Sequence, residues 1–235
     1  MSHLDYPPER AFSVGDRNPA EEWRTVQRLS AVLFAVSLVV AGIAWSLLQI
    51  RFIDRAPRLA EGMIAGLAVA TPLLAGLWVL SRSRGNLSRQ LWEVPTELLG
   101  PALSRSSQAG LAGLALTAGI GEELVFRGVL QTWLSPAGLV AALVLPNVLF
   151  GLLHYVNATY AIAAGITGLY FSFLLEFVPN VSLYSLMVAH AFYDYVALNC
   201  LASKVRSRGR TPESQAADGS LSPEISESDQ PDDSC

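Results

Sequence analysis

The 235-residue chain is 51% hydrophobic, only 15% charged, carries a formal net charge of −4 and has a mean hydropathy of +0.38. Soluble domains carry roughly 25% charge, so this composition excludes an ordinary soluble globular domain. The acidic residues gather near the two ends and no basic stripe occurs, which argues against a nucleic-acid partner. Cys200 and Cys235 are too few to frame a disulfide-rich fold.

In chain order, residues 1–28 form a polar segment. Its Asn18-Pro19-Ala20-Glu21 reads as a helix start, with Asn18 as cap, Pro19 in the first helical position and acids in the first turn. The first span then reads as a retained helix rather than a leader. Crossing a hydrocarbon core takes roughly 20 apolar residues. Six stretches of about that length are predicted, at 29–50, 62–80, 109–134, 137–155, 158–178 and 181–201. Pro72 and Pro146 fall inside spans, where each kinks its helix and frees a backbone carbonyl. Residues 91–100 are too short and too acidic to cross and predict an interfacial or re-entrant piece. The connections between the last four spans are so short that consecutive helices must be antiparallel neighbours.

The chain therefore divides into a cytoplasmic N-terminal segment (1–28), two spans with a basic loop and interfacial segment (29–108), a four-helix core (109–201), and a tail (202–235) whose Ser, Asp, Glu and Pro predict disorder. The expected fold is an all-α, polytopic transmembrane helical bundle of about six spans. Orientation follows the basic residues, which favour the cytoplasmic side. Arg10, Arg17, Arg24, Arg28, Arg82, Arg84, Arg89, Arg105, Lys204, Arg206, Arg208 and Arg210 all fall on one face of a six-span topology, against Arg51, Arg55 and Arg58 on the other. A multi-pass protein of the cell (plasma) membrane with both termini cytoplasmic is the expectation.

Six ionisable residues lie well inside spans: Glu122, Glu123, Arg127, His154, His190 and Asp194. Each costs about 2.5–3.5 kcal/mol at a span's centre on insertion scales, and such residues face the bundle interior or a wet cavity. Glu123 and Arg127, four apart, share a helix face and predict a bracing ion pair. Glu122 points about 100° away and is left free for chemistry. His190 and Asp194 are also four apart, a spacing at which the carboxylate can orient the imidazole. Asn147 shares a stripe with Gly151 and His154, as a supporting residue for the site or as a partner for backbone freed beside Pro146. Interhelical glue would be served by Ser, Thr, Asn or Gln at lower cost. Two carboxylates and two histidines from three helices match water activation or metal binding instead. A proton-coupled carrier also uses such residues.

These residues resemble the CAAX protease and bacteriocin-processing (CPBP) family of intramembrane proteases, which includes the type II CAAX prenyl proteases. Its pattern is E-E-x-x-x-R, then F-x-x-x-H, then H-x-x-x-N or H-x-x-x-D on three spans. Here it reads Glu122-Glu123-Leu124-Val125-Phe126-Arg127, Phe150-Gly151-Leu152-Leu153-His154 and His190-Ala191-Phe192-Tyr193-Asp194. The resemblance covers roughly 109–201. It implies an intramembrane endopeptidase in which Glu122 is general base on a water also held by His154, while His190 and position 194 stabilise the oxyanion and Glu123 and Arg127 brace the site. The substrate implied is a peptide or protein, prenylated or membrane-associated, reached in the bilayer.

Position 194 departs from the prenyl-protease members, which carry Asn there. An ionised Asp accepts hydrogen bonds and donates none. Either Asp194 is protonated, or it orients His190, or Glu122, His154, His190 and Asp194 together ligate a divalent metal such as zinc. The metallo and metal-free mechanisms both stand at this point. The alternative function is a non-enzymatic membrane immunity or regulatory protein that binds a peptide or partner through the same bundle.

Overall fold

The computed structural model describes residues 18–47 and 59–208. The expectations for Arg10 and Arg17, for the opposite-side Arg51, Arg55 and Arg58, and for the tail from 209 onward lie outside these residues. Among the described residues every regular element is a helix. The elements are α1 (Pro19–Leu47), α2 (Leu59–Arg82), α3 (Asn86–Ser88), a π-helical stretch Arg89–Glu93, α4 (Val94–Ser104), α5 (Gln108–Glu123), a π-helical stretch Leu124–Gln131, α6 (Thr132–Leu134), a 3-10 turn Ser135–Ala137, α7 (Leu139–Leu153), α8 (Ala158–Phe177) and α9 (Leu183–Arg208).

Local chemistry sets the helix starts. The Asn18 side chain accepts from the Ala20 N–H at 3.0 Å, Ser107 caps α5 by accepting from Gly110, and Asn157 caps α8 by accepting from Tyr160. α1 thus begins about ten residues before its apolar stretch, as a helix that starts in water and runs into the membrane would. Leu33, Val36, Val39, Val140, Leu145 and Val148 are exposed. Rows of such side chains on a helix surface belong against lipid, and the protein is a membrane protein.

Four helices are long and apolar enough to cross a bilayer: Pro19–Leu47, Leu59–Arg82, the continuous run Gln108–Ala137, and Ala158–Phe177. α9 has the length at 26 residues. α7 is apolar but has 15 residues, which at 1.5 Å each is about 22 Å against a hydrocarbon core of about 30 Å. Its shortness brings the chain to a halt at His154 instead of carrying that side chain to the far surface.

Two boundaries differ from the sequence reading. The predicted third span is α-helical only to Glu123 and then becomes π-helical, and α9 runs past 201 into the predicted tail. The second difference has a packing cause: Arg206 Nη1 donates to the Ser106 carbonyl at 3.3 Å, and Leu201 and Ala202 are buried. α9 forms the hub of the bundle, packed on α2, α4 and α5, while α7 pairs with α8. The segment 89–104, which contains the residues 91–100 expected to be interfacial or re-entrant, packs by Trp92, Ala102 and Leu103 into the same apolar cluster as Leu77, Leu111 and Leu201.

Candidate active site

α5 delivers two adjacent carboxylates at its C-terminal end, and one helical step sends them to different surroundings. Glu123 is fully buried, as is Arg127, and Oε1 of Glu123 accepts from Arg127 Nη1 at 3.0 Å. The second guanidinium nitrogen, Nη2, donates to Asn147 Oδ1 at 3.1 Å and to the Gly168 carbonyl at 2.8 Å. The arginine therefore ties α5 and its π-helical continuation to α7 and α8. A β-carbon on Gly168 would stand 2.5 Å from Asn147 Oδ1 and 2.8 Å from Arg127 Nη2, so only glycine leaves room for this knot. The amide of Asn147 donates to the Leu143 carbonyl and to Ser172 Oγ. Asn147 thus touches both the Arg127 knot and a backbone carbonyl in the turn before Pro146.

Glu123 also reaches across to α9, where its Oε1 lies 2.8 Å from Nδ1 of His190. The ring of His190 is thereby held by Glu123, with Phe150 and Phe171 against it. The spacing of His190 and Asp194 had pointed to Asp194 for that task. Asp194 Oδ2 instead lies 3.5 Å from Nε2, the nitrogen facing Glu122. His154 is fixed through Nδ1, 2.9 Å from the Phe150 carbonyl, and its ring stacks on Phe150 with centroids 4.3 Å apart.

With both Nδ1 atoms occupied, both Nε2 atoms turn to Glu122, whose Oε2 lies 3.7 Å from each. That separation is too long for a direct hydrogen bond, and among the described residues Glu122 Oε2 is a buried oxygen without a hydrogen-bond partner. Glu122 and His154 keep about 30% exposure, while His190 keeps 10%. Their open side is a cavity of about 360 Å³ bounded by α2, α4, α5, α7, α8, α9 and the stretch 89–93. The Glu122, His154, His190 and Asp194 end is polar. The remainder, from Leu77, Leu91 and Trp92 to Leu198 and Leu201, is mostly apolar, with Tyr160, Thr167 and Tyr193 as its polar members.

Of the four residues considered as metal ligands, His154 and His190 each lie 3.7 Å from Glu122, and His190 lies 3.5 Å from Asp194. Among the described residues no group of three or more His, Cys, Asp or Glu side chains is arranged to hold a metal ion.

The structure thus brings Glu122, His154, His190 and Asp194 together at one cavity wall, with Glu123, Arg127 and Asn147 behind them. Two tyrosines of that wall, Tyr160 and Tyr193, were not singled out from the sequence, because a tyrosine inside a span has no spacing signature of its own. Residues 105–196 match the family model described as Type II CAAX prenyl endopeptidase Rce1-like. That stretch holds all seven residues. No curated protein and no solved structure matches the chain.

Proposed function

We propose that this protein is an intramembrane endopeptidase of the CAAX-protease type that hydrolyses a peptide bond with a water activated by Glu122 and His154. The observation that carries the reading is the convergence of Glu122 Oε2 with the Nε2 atoms of His154 and His190, 3.7 Å from each, at the polar end of a cavity whose remaining lining is mostly apolar. The match over 105–196 to a prenyl endopeptidase family supports the same reaction class.

In this reading Glu122 takes a proton from the water as its oxygen attacks the scissile carbonyl, and His154 holds the water in line. His190 donates from Nε2 to the oxyanion, with its ring locked by Glu123. The Arg127 knot keeps Glu123 in place. The apolar part of the cavity suits a substrate with an apolar or lipid-modified segment, a peptide or protein presented in the membrane. The basic residues place both termini on the cytoplasmic side of the cell membrane in this proposal.

The test uses the purified full chain in detergent and an internally quenched farnesylated peptide ending in a CAAX box. Glu122→Ala, His154→Ala and His190→Ala should each lower the cleavage rate by at least about 10²-fold while the protein remains helical and monodisperse. Cleavage by Glu122→Ala at the parental rate would sink the proposal. Retention of peptide binding without cleavage in the parent would favour the non-enzymatic binding protein.

A further inference from the structure

Tyr160 sits on α8, a helix that supplies none of the six intramembrane ionisable residues. It stands in the first turn and lines the cavity together with Glu122, His154, His190 and Asp194. Its place is fixed at the backbone, because the Asn157 side chain accepts from the Tyr160 N–H at 2.9 Å and donates to the Gln90 carbonyl at 3.0 Å. Thr159 is tied to the Gln90 side chain as well. The start of α8 is thus pinned to the wall of the cavity.

Tyr160 lies within electrostatic reach of both Asp194 and Glu122. Tyr193, the other tyrosine of the wall, interacts with Asp194 and Tyr160, and its ring packs against the apolar cluster around Trp92 and Leu201. Tyr160 is not among the side chains packed on that cluster, and of the two it is the one that interacts with Glu122 as well as with Asp194. A shielded phenol normally finds a hydrogen-bond partner. Among the described residues none bonds the Tyr160 hydroxyl, which leaves its O–H for whatever enters the cavity.

Position 194 gives that donor a purpose. A carboxylate at 194 accepts hydrogen bonds and repels a developing oxyanion, so His190 would otherwise stabilise it alone. We propose that Tyr160 donates a hydrogen bond to the oxyanion of the tetrahedral intermediate, beside His190; the proposal rests on the hydrolase reading above. The step balances without a further reactant. The water oxygen bonds to the carbonyl carbon, the C=O π pair moves to the oxygen, and the water proton goes to Glu122. On collapse the C=O re-forms, the C–N bond breaks and that proton passes to the amine, while the Tyr160 proton never leaves its oxygen.

The experiment compares parent, Tyr160→Phe, and Tyr160→Phe with Asp194→Asn, on the farnesylated CAAX peptide and on its phosphinate analogue, which mimics the tetrahedral state. Tyr160→Phe should lower kcat by about 10²–10³-fold with little change in KM, and weaken phosphinate binding far more than peptide binding. Adding Asp194→Asn, whose amide can donate, should recover at least about tenfold. A Tyr160→Phe rate within twofold of the parent overturns the proposal, and so does a loss that Asp194→Asn leaves unrepaired. If Tyr160→Phe does not fold, fluorotyrosines at 160 retain ring and hydroxyl. A kcat indifferent to their acidity then overturns it. A parent that neither cleaves the peptide nor prefers the phosphinate defeats the hydrolase reading itself, whereas an active parent with an unaffected Tyr160→Phe defeats the Tyr160 role only.

Discussion

One oxygen of Glu123 serves both Arg127, at 3.0 Å, and His190, at 2.8 Å, while the whole carboxylate is out of contact with solvent. It therefore has two tasks, neutralising a buried cation and aiming the His190 imidazole, which is catalytic in the proposed reading. Glu123→Gln removes the charge and keeps the shape. The guanidinium then meets only neutral oxygens at hydrogen-bond distance, the new amide's and those of Asn147 and Gly168, and breaking a buried ion pair costs about 3–5 kcal/mol. A large fall in the detergent melting temperature is expected, together with lost cleavage. Arg127→Lys should separate the two tasks. A lysine keeps the charge but has no fork to hold Asn147 and Gly168 as well as Glu123, so melting should fall less than in Glu123→Gln while cleavage still drops. Equal melting temperatures for parent and Glu123→Gln would show that the pair does not brace the bundle.

At the scale of elements, the distances of the proposed site are set where α5 crosses α9. A β-carbon on Gly119 would stand 2.6 Å from the Ala191 backbone nitrogen and 2.9 Å from its Cα, atoms that cannot swing aside. Gly119 lies one turn before Glu122, and Ala191 follows His190. Gly119→Ala must push the helices apart and lengthen the Glu122–His190 separation, and a misplacement of about 1 Å can cost about 10²-fold in rate. The expected outcome is a folded, membrane-inserted variant whose cleavage rate falls by at least tenfold. Full activity would show that the crossing tolerates the shift. The same crossing explains what the sequence could convey. Spacings of four along one helix disclosed the Glu123–Arg127 pair and separated Glu122 from it, because those relations are internal to a helix. The reach of Glu123 to His190 depends on how two helices 67 residues apart in sequence lie against each other, and no single-helix periodicity records that. Nor does the sequence mark the change to π-helix after Glu123, where Thr132 Oγ1 donates to the Arg127 carbonyl five residues back. Such π stretches frequently occur at functional sites.

Across the whole molecule, helix directions can be read from contacts independently of charge. α1 and α5 run parallel, with Trp23 against Gly110 and the Ser30 hydroxyl bonded to that of Thr117. α9 runs antiparallel to α5, from Ala191 beside Gly119 to Arg206 on the Ser106 carbonyl. The starts of α1 and α5 and the end of α9 therefore meet at one face, and Arg24, Arg28, Arg105, Lys204 and Arg206 gather there. The apolar part of the cavity, at Leu80, Leu99 and Leu201, extends from the carboxylates toward that face. Contacts and the positive-inside rule both fit the proposed topology, with an even number of crossings between α1 and α9. A membrane-impermeant maleimide tests this on sealed vesicles of known orientation. Arg105→Cys should react, above the parent chain's own labelling, from the cytoplasmic side. Ser135→Cys, at the far end of the run that begins with α5, should react only from the other side. Labelling of both from one side would mean that this run does not cross, which would remove Glu122 from the bilayer and with it the case for proteolysis inside the membrane.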